Sequence, residues 1–135
     1  MDYHEIRKKL AASVANVSGI LVVYDHVPDD LTPPCAVVIP TNQAITYHDT
    51  MGAAGSRMSV CRFEITVVAQ RFQSEAAQEL LDDFAVSVPA QLESDQTLGG
   101  EAEIVQVTEM RNYGPIVYGS TTYLALQLQT EVYTR

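Results

Sequence analysis

Residues 121–133, TTYLALQLQTEVY, decide the fold because two kinds of side chain alternate along the whole stretch. Successive side chains of a strand point to opposite faces of the sheet, so the alternation predicts one long strand. One face carries Thr122, Leu124, Leu126, Leu128, Thr130 and Val132. The other carries Tyr123, Ala125, Gln127, Gln129, Glu131 and Tyr133. The first set suits a core, whereas tyrosines and glutamines with a single charge indicate a sheet surface that something else covers.

The size and composition of the chain fit one globular domain. With 135 residues, 47% of them hydrophobic, we predict a single domain over residues 1–135. Charged residues make up 19%, below the roughly 25% usual for soluble domains, which leaves neutral surface for burial between subunits. No apolar run approaches the roughly 18 residues of a membrane helix. Residues 1–5, MDYHE, lack the basic and apolar regions of a signal peptide, so we expect a cytoplasmic protein without a membrane partner.

The formal net charge of −9 argues against a nucleic-acid-binding surface, which needs clustered Lys and Arg to neutralise phosphates. The one basic cluster is Arg7-Lys8-Lys9, whose side chains fan out over the solvent side of a helix. Two interpretations of the acidity remain open. The chain is either an ordinary acidic protein, or part of a pore through which DNA slides without sticking because like charges repel.

Two amphipathic helices are predicted. The first spans residues 2–17 and ends at Gly19, which suits a left-handed terminating position. The second spans residues 74–87, and Pro89 should stop it before one more short helical turn at 90–95. Their buried stripes are Ile6, Leu10, Val14 and Val17 in the first helix, and Ala77, Leu80, Leu81, Phe84 and Val88 in the second.

Apolar runs and alternating patterns predict the strands. They cover residues 20–24, 35–39 (closed by Pro40), 44–48, 59–70, 103–110 and the final stretch. The glycine-rich residues 50–56 predict an exposed mobile loop, part of a flexible segment at about 47–58. Residues 112–120, which include Gly114-Pro115, predict a loop or hairpin connection.

This order of elements predicts an α+β fold. We expect a mainly antiparallel sheet of four to six strands with two helices packed on one face. The other sheet face would then be free for assembly.

The chain carries no motif of a known catalytic or cofactor site. Cys35 and Cys61 lie in apolar runs and are predicted to be buried thiols. His26 and His48 each neighbour an aspartate, but loop residues that suit turns explain them better than a metal site, which needs convergent ligands. No nucleophile elbow or phosphate-cradling glycine loop is present, and the carboxylates of residues 82–83 fit a solvated helix face. We therefore predict no enzyme activity, no metal and no cofactor.

Tyrosine is enriched near the end of the chain, where four of its seven copies lie. Tyrosine is common at interfaces because it buries a ring while its hydroxyl finds a polar partner. Half-buried sheet tyrosines within one subunit would give the same pattern, so both interpretations stay open.

The ordered set of segments resembles the tail-terminator, or tail-completion, proteins of long-tailed bacteriophages. The segments are an opening helix ending at VSG (17–19), ILVVY (20–24), PPCAVVIP (33–40), the loop at 47–56, FEITV (63–67), a helix at 76–86 containing LLD (80–82), DQTLGG (95–100), a strand at 104–110, a Tyr-Gly loop and a C-terminal strand. No segment is specific by itself, but together they cover nearly all of the chain.

The resemblance implies a non-enzymatic subunit of a homohexameric ring on the head-proximal end of the tail tube. Such a ring stops tube polymerisation and presents a surface to the neck proteins of the head. Its partners would be further copies of itself, the tail-tube protein and a head or neck connector, with DNA passing through the lumen without specific binding. It would be assembled in the bacterial cytoplasm and reside in the virion. Candidate assembly residues are Tyr47, Met51, Gly52, Gly55, Arg57, Met58, Tyr113, Tyr118, Tyr123 and Tyr133.

Three rival interpretations remain. The nearest is a head-closure or other neck connector of the same virion. The second is a small enzyme or ligand-binding domain that uses the loops of His26 and His48. The third is a generic dimeric bacterial domain.

Overall fold

A computed structural model describes residues 3–49, 57–71, 75–100 and 102–134, without the side chains of residues 42–44, 46–49, 57–58 and 71. In chain order the helices and strands are α1 (Tyr3–Ala15), β1 (Val22–Tyr24), β2 (Cys35–Asp49), β3 (Arg57–Arg71), α2 (Glu75–Ser94), β4 (Ile104–Tyr118) and β5 (Thr121–Thr134). A short 3₁₀ turn, Leu98–Gly100, lies between α2 and β4.

The strands form one five-stranded sheet in the order β1-β2-β3-β5-β4. β1 pairs with β2 in parallel, and the other three pairs are antiparallel. Both helices pack on the same face of this sheet, so the predicted α+β fold is confirmed.

The core lies between the helices and that face. Ile6, Leu10 and Val14 of α1 are buried as predicted, and so is Val17, which lies beyond the last residue of the helix. Ala77, Leu81, Phe84, Val88 and Leu92 form the buried side of α2, whereas Leu80 of the predicted stripe is only partly buried. β3 and β5 supply the other wall, and the alternation of β5 holds because Leu124, Leu126 and Leu128 all belong to this core. Gly19 follows α1 with a φ of 98°, a left-handed conformation that glycine adopts without steric cost.

The prediction that Pro40 closes a strand is wrong, because β2 continues through it to Asp49. β1 covers β2 only at residues 35–37, so among the described residues no strand flanks Pro40 on its outer side. The missing N–H of a proline costs little at such an edge. The register against β3 shifts between Pro40 and Ile45, which absorbs the disturbance, and the predicted strand at 44–48 is the far half of β2.

The prediction that Pro89 stops the second helix is also wrong, because α2 runs on to Ser94. Val88 and Leu92 flank the proline and are both 0% exposed. Their burial against the core outweighs the loss of one backbone hydrogen bond at Pro89.

Residues 112–118 are strand, not the predicted connection, so β4 has the same length as β2 and β3. A register shift between Arg111 and Gly114 accommodates the sequence that suggested a loop. Asn112 takes a positive φ of 54° there, as residues in bulges often do. The hairpin turn shrinks to residues 119–120, and Gly119 supplies a φ of 64°.

Candidate assembly surface

We call the helix-free face of the sheet the open face. It carries a polar network across strands β3, β5 and β4. The register places Arg62 of β3 opposite Glu131 of β5, and Gln106 of β4 on the other side of Glu131. Arg62 Nε donates to Glu131 Oε2 at 3.1 Å, and Gln106 Nε2 lies 3.4 Å from Glu131 Oε1. Gln129 Nε2 lies 3.3 Å from Glu64 Oε2. Cross-strand pairs of this kind fix side chains on a sheet surface without hiding them from water.

The open face is concave. A hollow of about 610 Å³ extends from Ile39 and Thr41 of β2 to Thr108 and Arg111 of β4. Charged and amide side chains of β3 and β5 form its floor. The hollow crosses four strands and is a broad polar trough, not a deep pocket for one small molecule.

One end of the open face is covered by the chain itself. Leu31, Cys35, Val37, Val68, Tyr123 and Ala125 form a second, smaller apolar cluster there. The loop of residues 25–34 lies over this cluster, and the Tyr118 hydroxyl donates to the Pro28 carbonyl. Burial raises the pKa of Cys35 to about 11, because a thiolate is poorly solvated in this cluster. The expectation that the whole helix-free face is available for assembly is therefore wrong at this end.

Each of the four late tyrosines has an intramolecular role. The Tyr113 hydroxyl donates to Asp82 Oδ1 of α2 at 2.5 Å, and this bond to a carboxylate is the main reason that the pKa of Tyr113 is raised. Tyr123 is 4% exposed within the subunit and presents little surface to a partner. The Tyr133 hydroxyl donates to Glu131 Oε1 at 3.1 Å, and desolvation first and that carboxylate second raise the pKa of Tyr133.

Among the described residues, the sheet has an unpaired strand edge on each side: along β4, and along the part of β2 that β1 does not cover. β4 pairs only with β5 within the described chain, and beyond residue 37 the outer side of β2 has no partner strand there. Large apolar side chains of β4 are exposed next to its edge: Met110 is 48% exposed and Val117 is 73% exposed. Long unpaired edges template pairing with another chain unless they are covered.

The other predicted assembly residues fall in or beside the segment that the structure leaves out. Met51, Gly52 and Gly55 lie outside the described residues. Tyr47 and Arg57 with Met58 lie in strands β2 and β3, and their side chains are outside the description. The loop prediction for residues 50–56 has the same status. The ends of the predicted flexible segment at 47–58 are strand instead, because β2 runs to Asp49 and β3 begins at Arg57, where the two strands pair.

No cluster of metal-ligating side chains occurs among the residues that the structure describes. His26 is exposed and contacts Asp25, with Nδ1 and Oδ1 2.9 Å apart. This bond lowers the pKa of Asp25. The side chain of His48 lies outside the description. Cys35 and Cys61 are both buried thiols, as predicted.

None of the described helices has the length and apolar character that crossing a membrane requires.

Sequence reasoning missed the outer half of β4 and with it one open edge. The signal was Ile116-Val117-Tyr118, a run of β-branched and aromatic residues directly before Gly119. The Gly114-Pro115 pair, which is typical of a turn, outweighs that signal. Its place in a bulge on an edge strand explains how both patterns coexist.

Comparison with known proteins adds no functional information. No family model matches the chain, and no curated protein matches it. One matching solved structure, whose title states no function, is 21% identical over 98% of this chain and 96% of its own, with a TM-score of 0.47. Similarity at that level says nothing of what this chain does.

Proposed function

We propose that this chain is a structural virion protein that assembles into a ring on the head-proximal end of a phage tail tube. The ring would stop tube polymerisation and join the tail to the head through a neck protein. The resemblance of the ordered segments to tail terminators supports this proposal. So does a surface whose most distinctive features are open edges and a broad polar face, which suit contact with other polypeptides.

The observation that carries the proposal is the pair of open edges at opposite ends of one sheet. β2 runs antiparallel to β3, β3 to β5, and β5 to β4, so β2 and β4 run in opposite directions. A rotation about an axis along the strands keeps strand directions, so β4 of one copy would meet β2 of the next in antiparallel pairing. Two different patches then form each contact, which is the heterologous interface that a closed ring needs.

Edge pairing would also assign the two faces of the sheet. Both helices lie on one face, so a closed ring with the helices outside turns the open face toward the lumen. The charged side chains that line the hollow of this face are Arg62 and Arg111 against Glu64, Glu109 and Glu131, a formal net charge of −1 for the hollow. A hollow without clustered cations among its described side chains suits DNA that passes through and is not held.

The test is to add the purified chain to polymerising tail-tube subunits of the same phage and to measure tube length by electron microscopy. We expect short tubes capped at one end by a ring. Val117→Lys places a charge beside the β4 edge and should abolish capping, because charged side chains block edge pairing. Val27→Lys in the loop of residues 25–34 is the matched control, since Val27 is 65% exposed and belongs to no strand.

Tubes that grow unchecked in the presence of the folded wild-type chain would contradict the terminator function. If the chain then binds a purified neck or portal protein instead of the tube, the head-closure alternative replaces it.

A further inference from the structure

The net charge of the chain is confined to one segment. Residues 72–110 contain nine of the 17 acidic residues and no Lys, Arg or His. The remaining residues hold eight acidic and eight basic residues, so their formal charge is zero. The acidity is therefore a property of α2, the turn after it and the start of β4.

α2 packs across β3, β5 and β4, and the side of the helix that carries Asp82 meets β4. α2 carries five carboxylates and no basic residue, and Glu79, Asp82 and Asp83 are exposed near its middle. The hydrogen bond from Tyr113 to Asp82 ties this part of the helix to β4. An acidic helix face thus stands beside one open edge.

The basic cluster lies at the opposite end of the helix layer. Lys8 and Lys9 of α1 are exposed, and α1 contacts β1 and β2. Its first residue, Tyr3, stacks on Phe63 with ring centroids 5.3 Å apart, and Phe63 pairs with Pro40 on β2. A basic helix face thus stands near the other open edge, where β1 no longer covers β2.

We propose that the acidic face of α2 docks against the basic face of α1 in a second copy of this chain. This inference rests on the proposed head-to-tail ring, because pairing β4 with the next β2 brings these two helix faces side by side. The charges favour a second copy as the partner of this surface. The α2 face of one copy attracts the α1 face of the next, whereas two α2 faces repel each other. It therefore selects a ring over a two-fold dimer through α2.

The test uses charge reversal in two full-length variants. One carries Glu79→Lys and Asp83→Lys, and the other carries Lys8→Glu and Lys9→Glu. Alone, each places like charges across every contact and should lower the association constant by about tenfold or more at low salt. An equimolar mixture restores opposite charges at every contact and should recover association, with the two variants alternating. Asp83→Lys and Asp29→Lys form a matched pair of single changes, because both remove an exposed acid and only the first lies on α2.

Association is measured by sedimentation velocity and, in parallel, by capping of tail-tube subunits, after circular dichroism has shown that each variant is folded. Loss with each variant and recovery in the mixture supports the docking of α2 on α1. Assembly that is indifferent to both reversals, or loss without recovery in the mixture, overturns it while the ring proposal stands. A wild type that neither associates nor caps tubes contradicts the ring proposal itself.

Discussion

The two faces of β5 belong to one strand but have different surroundings. Leu124, Leu126 and Leu128 point under the helices and are at most 5% exposed. Gln127, Gln129 and Glu131 point to the open face and are only half-buried, held by cross-strand hydrogen bonds. The first face stabilises the subunit. The second face contributes little to the stability of the subunit, so its residues are available to contact other molecules.

Leu126→Ala tests the helix-covered face and should have the largest effect. Leu126 is 0% exposed, and truncating a buried leucine costs about 2–5 kcal/mol through lost burial and the cavity that remains. Urea unfolding followed by circular dichroism measures the loss. Gln127→Ala, at the next position on the open face, is the matched control and should cost well under half as much. Equal losses would mean that both faces support the fold alike.

Gly19→Ala tests how tightly the helix layer is packed. A Cβ at this position would lie 3.3 Å from Phe84 Cε1, and the backbone φ of 98° is strained for alanine. We expect a loss of about 1–2 kcal/mol from the left-handed conformation, increased by the contact with Phe84. Gly119→Ala has a positive φ but no atom within 4 Å of its Cβ, so it reports the conformational part alone. A smaller loss at Gly19 than at Gly119 would contradict close packing there.

The pH dependence of stability tests whether the covered end of the open face is as dry as the core. The folded pKa of Cys35 is about 11, above the 9.0 of an unperturbed thiol. Its contribution to stability is therefore complete below pH 9 and is lost as the pH rises toward 11, because the unfolded thiol ionises first. Comparing unfolding midpoints of the wild type and Cys35→Ala across this range measures it. A constant difference between the two proteins would mean that water reaches the thiol.

Arg62→Met tests the polar network and should have the smallest effect on stability. The side chains of Arg62 and Glu131 are 28% and 21% exposed, and a solvated ion pair contributes about 1 kcal/mol or less. Methionine keeps most of the aliphatic contact of arginine. Unfolding in urea should therefore shift little. A loss as large as that of Leu126→Ala would show that the open face holds the subunit together.

Sequence periodicity predicted those parts of the fold in which burial and local pattern agree. The stripes of both helices and the alternation of β3 and β5 are of this kind, because each side chain needs only to be on the correct face. The errors at Pro40, Pro89 and Gly114-Pro115 share another cause. In each case the tertiary structure tolerates a residue that disfavours regular structure locally. Pro40 and Gly114-Pro115 lie at open sheet edges. Pro89 lies in α2 beside the buried side chains Val88 and Leu92.

The assembly surface was less predictable than the fold. The tyrosines could be named from the sequence, but their hydroxyl partners lie far away in the chain, as with Tyr113 and Asp82 or Tyr118 and Pro28. The position of the open edges depends on the order of the strands in the sheet. Local sequence patterns predict strands but not the order in which they pair.

Cysteine trapping tests the edge-to-edge ring most directly. Thr41→Cys on β2 is combined with Glu109→Cys or Arg111→Cys on β4, positions that all line the hollow of the open face. Within one subunit these strands are three strand spacings apart, about 14 Å, which is too far for a disulfide. Cys35 and Cys61 are 0% exposed and should not interfere. Under mild oxidation the account predicts a ladder of disulfide-linked oligomers beyond the dimer for a double variant and at most dimers for each single variant. Monomers alone from the folded double variants, with tail-tube subunits present, would contradict it.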